Sequence, residues 1–150
     1  MAIEYDLYLS PGPKPSEIVA VLLALPGFSG EAGSFSGPGL SGLIGPVHAS
    51  RRAALEEALK VSASLRVSFR LSAADKNKTE GSGGTHSALE AAFALLRALP
   101  GDAALLLNGD STLLLRTSGT LRLNRARGFW NGPRLDLAPA GRVLEDLPSL

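Results

Sequence analysis

The chain has 150 residues, a net charge of +1 and no cysteine. The length suits a single α+β domain spanning residues 1–150, and 45% hydrophobic against 19% charged residues describes a chain that folds. Lack of cysteine excludes disulfides, thiol catalysis and sulfur-ligated zinc. The near-neutral balance supplies no global field toward nucleic acid or anionic lipid.

The longest apolar runs, Ile18 to Pro26 and Ala103 to Leu107, fall far short of the roughly 18 residues a membrane helix requires. Met1-Ala2-Ile3-Glu4-Tyr5-Asp6 lacks the basic start and apolar stretch of a signal peptide. A cytoplasmic location, with no membrane contact, is the expectation.

Ile3, Tyr5, Leu7 and Leu9 alternate with Glu4, Asp6 and Tyr8, the period of a half-buried strand. Prolines between Ser10 and Pro15 force a turn. Ser16 is placed to cap a helix whose apolar face is Ile18, Val21, Leu22 and Leu25, and Pro26-Gly27 stops it. Seven glycines follow between Gly27 and Gly45. A structureless loop of that length is unusual inside a compact domain, so Leu40 to Val47 is assigned as a strand. Ser50 to Lys60 reads as a helix, with Arg52, Glu56 and Lys60 spaced to pair on one surface.

Leu65, Val67, Phe69 and Leu71 alternate with Arg66, Ser68 and Arg70, giving a strand with an apolar inner face and a basic outer one. Ala74 to Gly84 is polar and glycine-rich, as a surface loop is. Ser87 to Glu90 has capping-box spacing, and Leu89, Phe93, Leu96 and Leu99 form an apolar helical stripe that ends at Pro100-Gly101. Ala103 to Leu107 reads as a buried strand, Asn108-Gly109 as a hairpin turn, Thr112 to Arg116 as the return strand, and Thr120 to Asn124 as the third strand of a meander. Residues 125–150, with Pro133, Pro139 and Pro148, are expected to form an irregular tail with one or two extended pieces.

The predicted fold is α+β. A mainly antiparallel sheet of about five or six strands carries two main helices on one face, a C-terminal three-strand meander, and a polar opposite face.

The search for chemistry yields near misses. Gly27-Phe28-Ser29-Gly30-Glu31 departs from the nucleophile elbow at Glu31 and follows a helix, where that elbow needs a strand. Gly37 to Ile44 has the glycine spacing of a phosphate-binding loop, but Leu43 and Ile44 stand where lysine and a hydroxyl are required. Gly81 to Thr85 could offer N–H groups to an anion, though a loop ending in a cap is the plainer reading. His48 and His86 are far apart and neither has a metal-ligand companion. Glu4 and Asp6 share a strand face and are expected to face water or pair with Arg66 and Arg70 on a neighbouring strand. No catalytic residue, metal or cofactor is assigned.

One asymmetry stands out. Ser111 to Leu135 holds five arginines (Arg116, Arg122, Arg125, Arg127 and Arg134) and no acid, with Phe129 and Trp130 among them. Arginines interleaved with aromatics can grip phosphates and stack bases, or anchor a protein interface. The plainer reading puts Arg116 and Arg122 on the solvent face of the meander with Trp130 over its apolar edge.

The opening strand Ala2 to Leu7, the strand Val67 to Leu71, the helix ending Leu99-Pro100-Gly101-Asp102, the strand leading into Asn108-Gly109-Asp110, the Leu-rich return strand and Phe129-Trp130 occur in a familiar order. In that order the chain resembles the small immunity proteins of swarm-inhibition toxin systems, known from myxobacteria and with relatives in other GC-rich bacteria. The resemblance implies a non-catalytic inhibitor that neutralises a cognate protein toxin encoded nearby. Two surfaces compete as the expected contact: Arg116, Arg122, Arg127 and Trp130, or the loop holding Asp75, Lys76 and Lys78. A nucleic-acid module using residues 116–134 is the alternative, disfavoured by the net charge.

Overall fold

The structure is a computed structural model that describes residues 3–72 and 83–150. Its centre is a nine-stranded sheet in the order β2-β3-β4-β5-β1-β6-β7-β8-β9. The strands are β1 (Glu4–Ser10), β2 (Ser29–Glu31), β3 (Ser34–Gly37), β4 (Leu40–Pro46), β5 (Leu65–Leu71), β6 (Asp102–Leu107), β7 (Ser111–Thr117), β8 (Thr120–Asn124) and β9 (Val143–Glu145). Every pairing is antiparallel except β8 with β9. The N-terminal strand therefore sits in the middle, between β5 and β6.

The α+β class, the antiparallel sheet and the meander agree with the sequence reading. The extra strands are β2, β3 and β9. The first two come from the glycine-rich segment, where two turns fold residues 29–46 into a ribbon. Its glycines have a packing reason. Phe35 is 5% exposed and lies edge-on to Phe69 at 5.5 Å. A Cβ on Gly42 would collide with the Phe35 ring, and one on Gly37 would meet the Phe28 ring at 2.6 Å. Glycine inside a strand here marks where an aromatic ring lies flat against the backbone.

Helices α1 (Pro15–Leu23) and α3 (Gly84–Ala98) pack together on one sheet face, with the short α4 (Gly132–Leu137) beside α3. Pro15 occupies the first helical position of α1, where no N–H is needed, and the Lys14 N–H donates to Glu17 Oε1 at 3.3 Å. The main core lies between these helices and Leu7, Phe69, Leu105 and Leu114. A bulge between β6 and β7 shifts the register at Leu105/Leu106, and the adjacent Leu113 and Leu114 both reach this core.

The other face departs from expectation. Helix α2 (Ala49–Leu59) lies against it, and a second core forms from Tyr8, Leu55, Leu59, Ala104, Leu106 and Leu115, with Leu147 and Leu150 packed against it. Beyond α2 that face carries Arg66 and Arg70 together with the exposed Leu43. Helix α3 starts at Gly84, so Ser87 lies buried inside it and is no cap. The tail is more ordered than expected. A 3₁₀ turn (Ala126–Gly128) and α4 precede β9, and Asn124 ties the tail down: its Nδ2 donates to Thr112 O at 2.7 Å while its Oδ1 accepts from Ala126 N and Leu147 N. No helix of the described residues is long and apolar enough to cross a membrane.

The Phe35–Gly42 contact gives a direct test. Gly42→Ala should lower stability by about 1–3 kcal/mol, the usual cost of overpacking, read from urea melts. An unchanged midpoint would show that the ring moves aside freely.

Candidate functional site

The arginines of residues 111–135 meet different fates. Arg116 leaves β7 toward the end of α3. Its Nε donates to Gly101 O at 2.7 Å, and its two terminal nitrogens donate to Leu96 O at 2.6 Å and Leu99 O at 2.7 Å. The last carbonyls of a helix have no partner within it, and a cation there also meets the negative end of the helix dipole. Burial pulls the guanidinium below its ordinary value, and Asp102 acts in the opposite sense. Arg116 thus closes α3 onto the sheet, which corrects the expectation that it occupies a solvent face.

Trp130 is likewise internal. It is 7% exposed, its Nε1 donates to Leu113 O at 2.7 Å, and its ring packs against Phe93 at 5.7 Å and Phe129 at 5.0 Å. A ring so placed cannot anchor a partner or stack a base. Phe129 is half-buried, with the Arg134 guanidinium over it at 4.4 Å and Tyr5 edge-on at 6.3 Å. Of the remaining arginines, Arg122 pairs with Glu145 at 3.2 Å and Arg125 with Asp146 at 3.4 Å, both near the surface. Arg127 lies in the 3₁₀ turn. Asp75, Lys76 and Lys78 fall outside the described residues.

A strip that the sequence reading did not propose as a site runs along β4, β5 and β1 on the α2 side of the sheet, with Ser41 and Leu43 exposed on it and Asp6, Ser68 and Tyr8 buried. Register places Ser41 opposite Arg70, Leu43 opposite Ser68, and Gly45 opposite Arg66, while β1 sets Glu4 opposite Arg70, Asp6 opposite Ser68 and Tyr8 opposite Arg66. The expected adjacency of these acids and arginines is present, but Asp6 does not face water. It is 5% exposed and accepts a 2.6 Å hydrogen bond from Ser68 Oγ. Burial raises its carboxyl above the ordinary carboxylate range, Ser68 partly opposes this, and neighbouring Glu4 adds to it. Burial and then the Asp6 carboxylate raise the Tyr8 phenol, with Arg51 and Arg66, the latter also hydrogen-bonded to it, acting against the shift. Arg51 reaches the Gly109 carbonyl at 2.6 Å.

Beside this strip a cleft of about 590 Å³ runs between the ribbon and the start of α2, bordered by Gly33, Leu43, Gly45, Pro46, His48 and Arg66. Leu43 is 61% exposed. His86 lies in the first turn of α3, paired with Glu90 one helical turn on at 2.7 Å. Among the described residues there is no group of three or more His, Asp or Glu that could hold a metal ion.

Two expectations follow. Arg116→Ala should lower stability by about 3 kcal/mol, since hydrogen bonds to a charged group contribute roughly 1.5–3 kcal/mol, whereas Arg122→Ala should change it by less than about 0.5 kcal/mol; denaturant melts decide. Because the Asp6 pKa is raised in the fold, the folded state holds that proton to higher pH than the unfolded chain, and the contribution to stability falls as pH rises above about 4. Asp6→Asn removes this slope while keeping an acceptor for Ser68. The variant should match the wild type near pH 4 and be the more stable at pH 7. Parallel curves at both pH values would contradict it.

Searches of curated proteins and of solved structures return no match. A family model, described as SitI3-like, matches residues 3–134. That span runs from β1 through the Arg116 clamp and Trp130 to Arg134, so it takes in the sheet up to β8 together with the strip along β4, β5 and β1. The chain belongs to the SitI3-like family.

Proposed function

We propose that this protein is an immunity protein that neutralises a cognate toxin by binding it, without catalysis. The family match over residues 3–134 carries this reading. The geometry is compatible with it: a two-sided core holds a broad sheet, part of whose outer face is open. The toxin is a protein encoded beside this gene, and the two meet in the cytoplasm.

Charge narrows the partner. Inhibitors of strongly basic targets use an acidic surface to speed encounter, and this chain carries a net charge of +1. The toxin is therefore not a highly basic nuclease. The nucleic-acid reading loses its stacking platform with the burial of Trp130. Among the contact positions expected from sequence, Arg122 and Arg127 and the loop positions Asp75, Lys76 and Lys78 stay candidates, while Arg116 and Trp130 act through the fold.

Co-expression with the product of the adjacent gene tests the reading. Cells should survive the toxin only with this protein present, and the purified pair should form a stoichiometric complex in which the toxin's mass is unchanged. Protection without a complex, or with a chemically altered toxin, would refute inhibition by binding.

A further inference from the structure

Gly45 of β4 has no packing reason within the chain to be glycine, and Gly33, in the turn between β2 and β3, has open space where a side chain would stand. Gly33 and Gly45 both border the cleft beside Leu43. Neither has a positive φ, and a Cβ built on either meets nothing within 4 Å. Gly42, one strand position from Leu43, differs in being needed under Phe35. Glycine weakens a strand through its backbone freedom and its lack of a side chain to pack. A strand position with open space and no side chain lets another molecule approach the backbone closely.

The surroundings say what approaches. Leu43 stands between Ser34 of β3 and Ser68 of β5, and among the described residues it is the most exposed large hydrophobic. Pro46 adds apolar surface along the same cleft, and Arg66 is the formally charged side chain among its described lining residues. Ser34, Ser36 and Ser41 on the neighbouring strand positions are small, polar and exposed. An apolar floor with one guanidinium at its side suits an apolar side chain flanked by a carboxylate. Arg pairs with carboxylates in fixed fork geometry, and such a pair at the edge of a desolvated pocket adds specificity to the apolar contact.

We propose that the cleft bordered by Gly33, Leu43, Gly45, Pro46 and Arg66 is the docking site for a segment of the toxin that presents an apolar side chain next to an acidic one. This rests on the immunity reading and assigns its contact surface to the β3–β4–β5 strip.

The test fills the cleft without touching the core. Gly45→Phe and Leu43→Asp should each keep the wild-type melting temperature within a few degrees, because the added atoms enter open space or solvent. Each should weaken calorimetric binding to the adjacent-gene toxin at least tenfold. Arg66→Gln should weaken binding less and flatten its dependence on salt, as loss of an ion pair requires. The double variant Arg122→Glu with Arg127→Glu should bind as the wild type does. Wild-type affinity in folded Gly45→Phe and Leu43→Asp would overturn the assignment, as would loss of binding confined to the Arg122/Arg127 variant. Failure of the wild-type protein itself to bind the toxin would instead remove the immunity reading, and this surface with it.

Discussion

The fold depends on one strand. β1 supplies the hydrogen-bonded link between two half-sheets, β2 to β5 on one side and β6 to β9 on the other. It is buried on both faces over Tyr5 to Leu9. Tyr5, Leu7 and Leu9 enter the core under α1 and α3, while Tyr8 enters the one under α2. Such a position leaves little room for charge, and Asp6 shows it: a buried carboxyl in the central strand, accepting from the Ser68 hydroxyl, hydrogen-bonded with Glu4 and shifted toward its neutral form.

Around that strand, two devices made of unlike chemistry close the structure. The Arg116 guanidinium gathers three carbonyls where α3 ends, so the helix that crosses between the half-sheets is tied to the second of them. On the first half-sheet the ribbon is held by rings, Phe28 on Phe35 and Phe35 on Phe69, lying over strands that carry glycine where the rings descend. Polar and apolar contacts thus do the same structural work at opposite ends of the sheet.

Much of the fold was legible in residue order, and what was not has identifiable causes. Strong alternation marked β1 and β5, and the hairpin residues Asn108-Gly109 and Ser118-Gly119 take the positive φ values their turn chemistry calls for. β2 and β3 stayed hidden because their stability comes from Phe35 packing across strands, which no local propensity records. The position of α2 was hidden too, since its buried residues are few, Leu55 and Leu59 foremost. The site was harder still. Arg116 and Arg122 look alike in sequence, and what separates them is a set of backbone carbonyls 15 to 20 residues away, which carry no side-chain signature. Gly33 and Gly45 look like the other glycines of the segment until the space above each is known.

That last distinction bears on how the segment can change over generations. Position 42 and position 35 are bound to one another: a larger residue at the first requires a smaller one at the second, so related sequences should drift there in pairs. At positions 33 and 45 a side chain would meet nothing inside the molecule within van der Waals reach. As far as packing is concerned a side chain at 45 enters open space, so glycine held there across a lineage would point to a constraint from outside the chain.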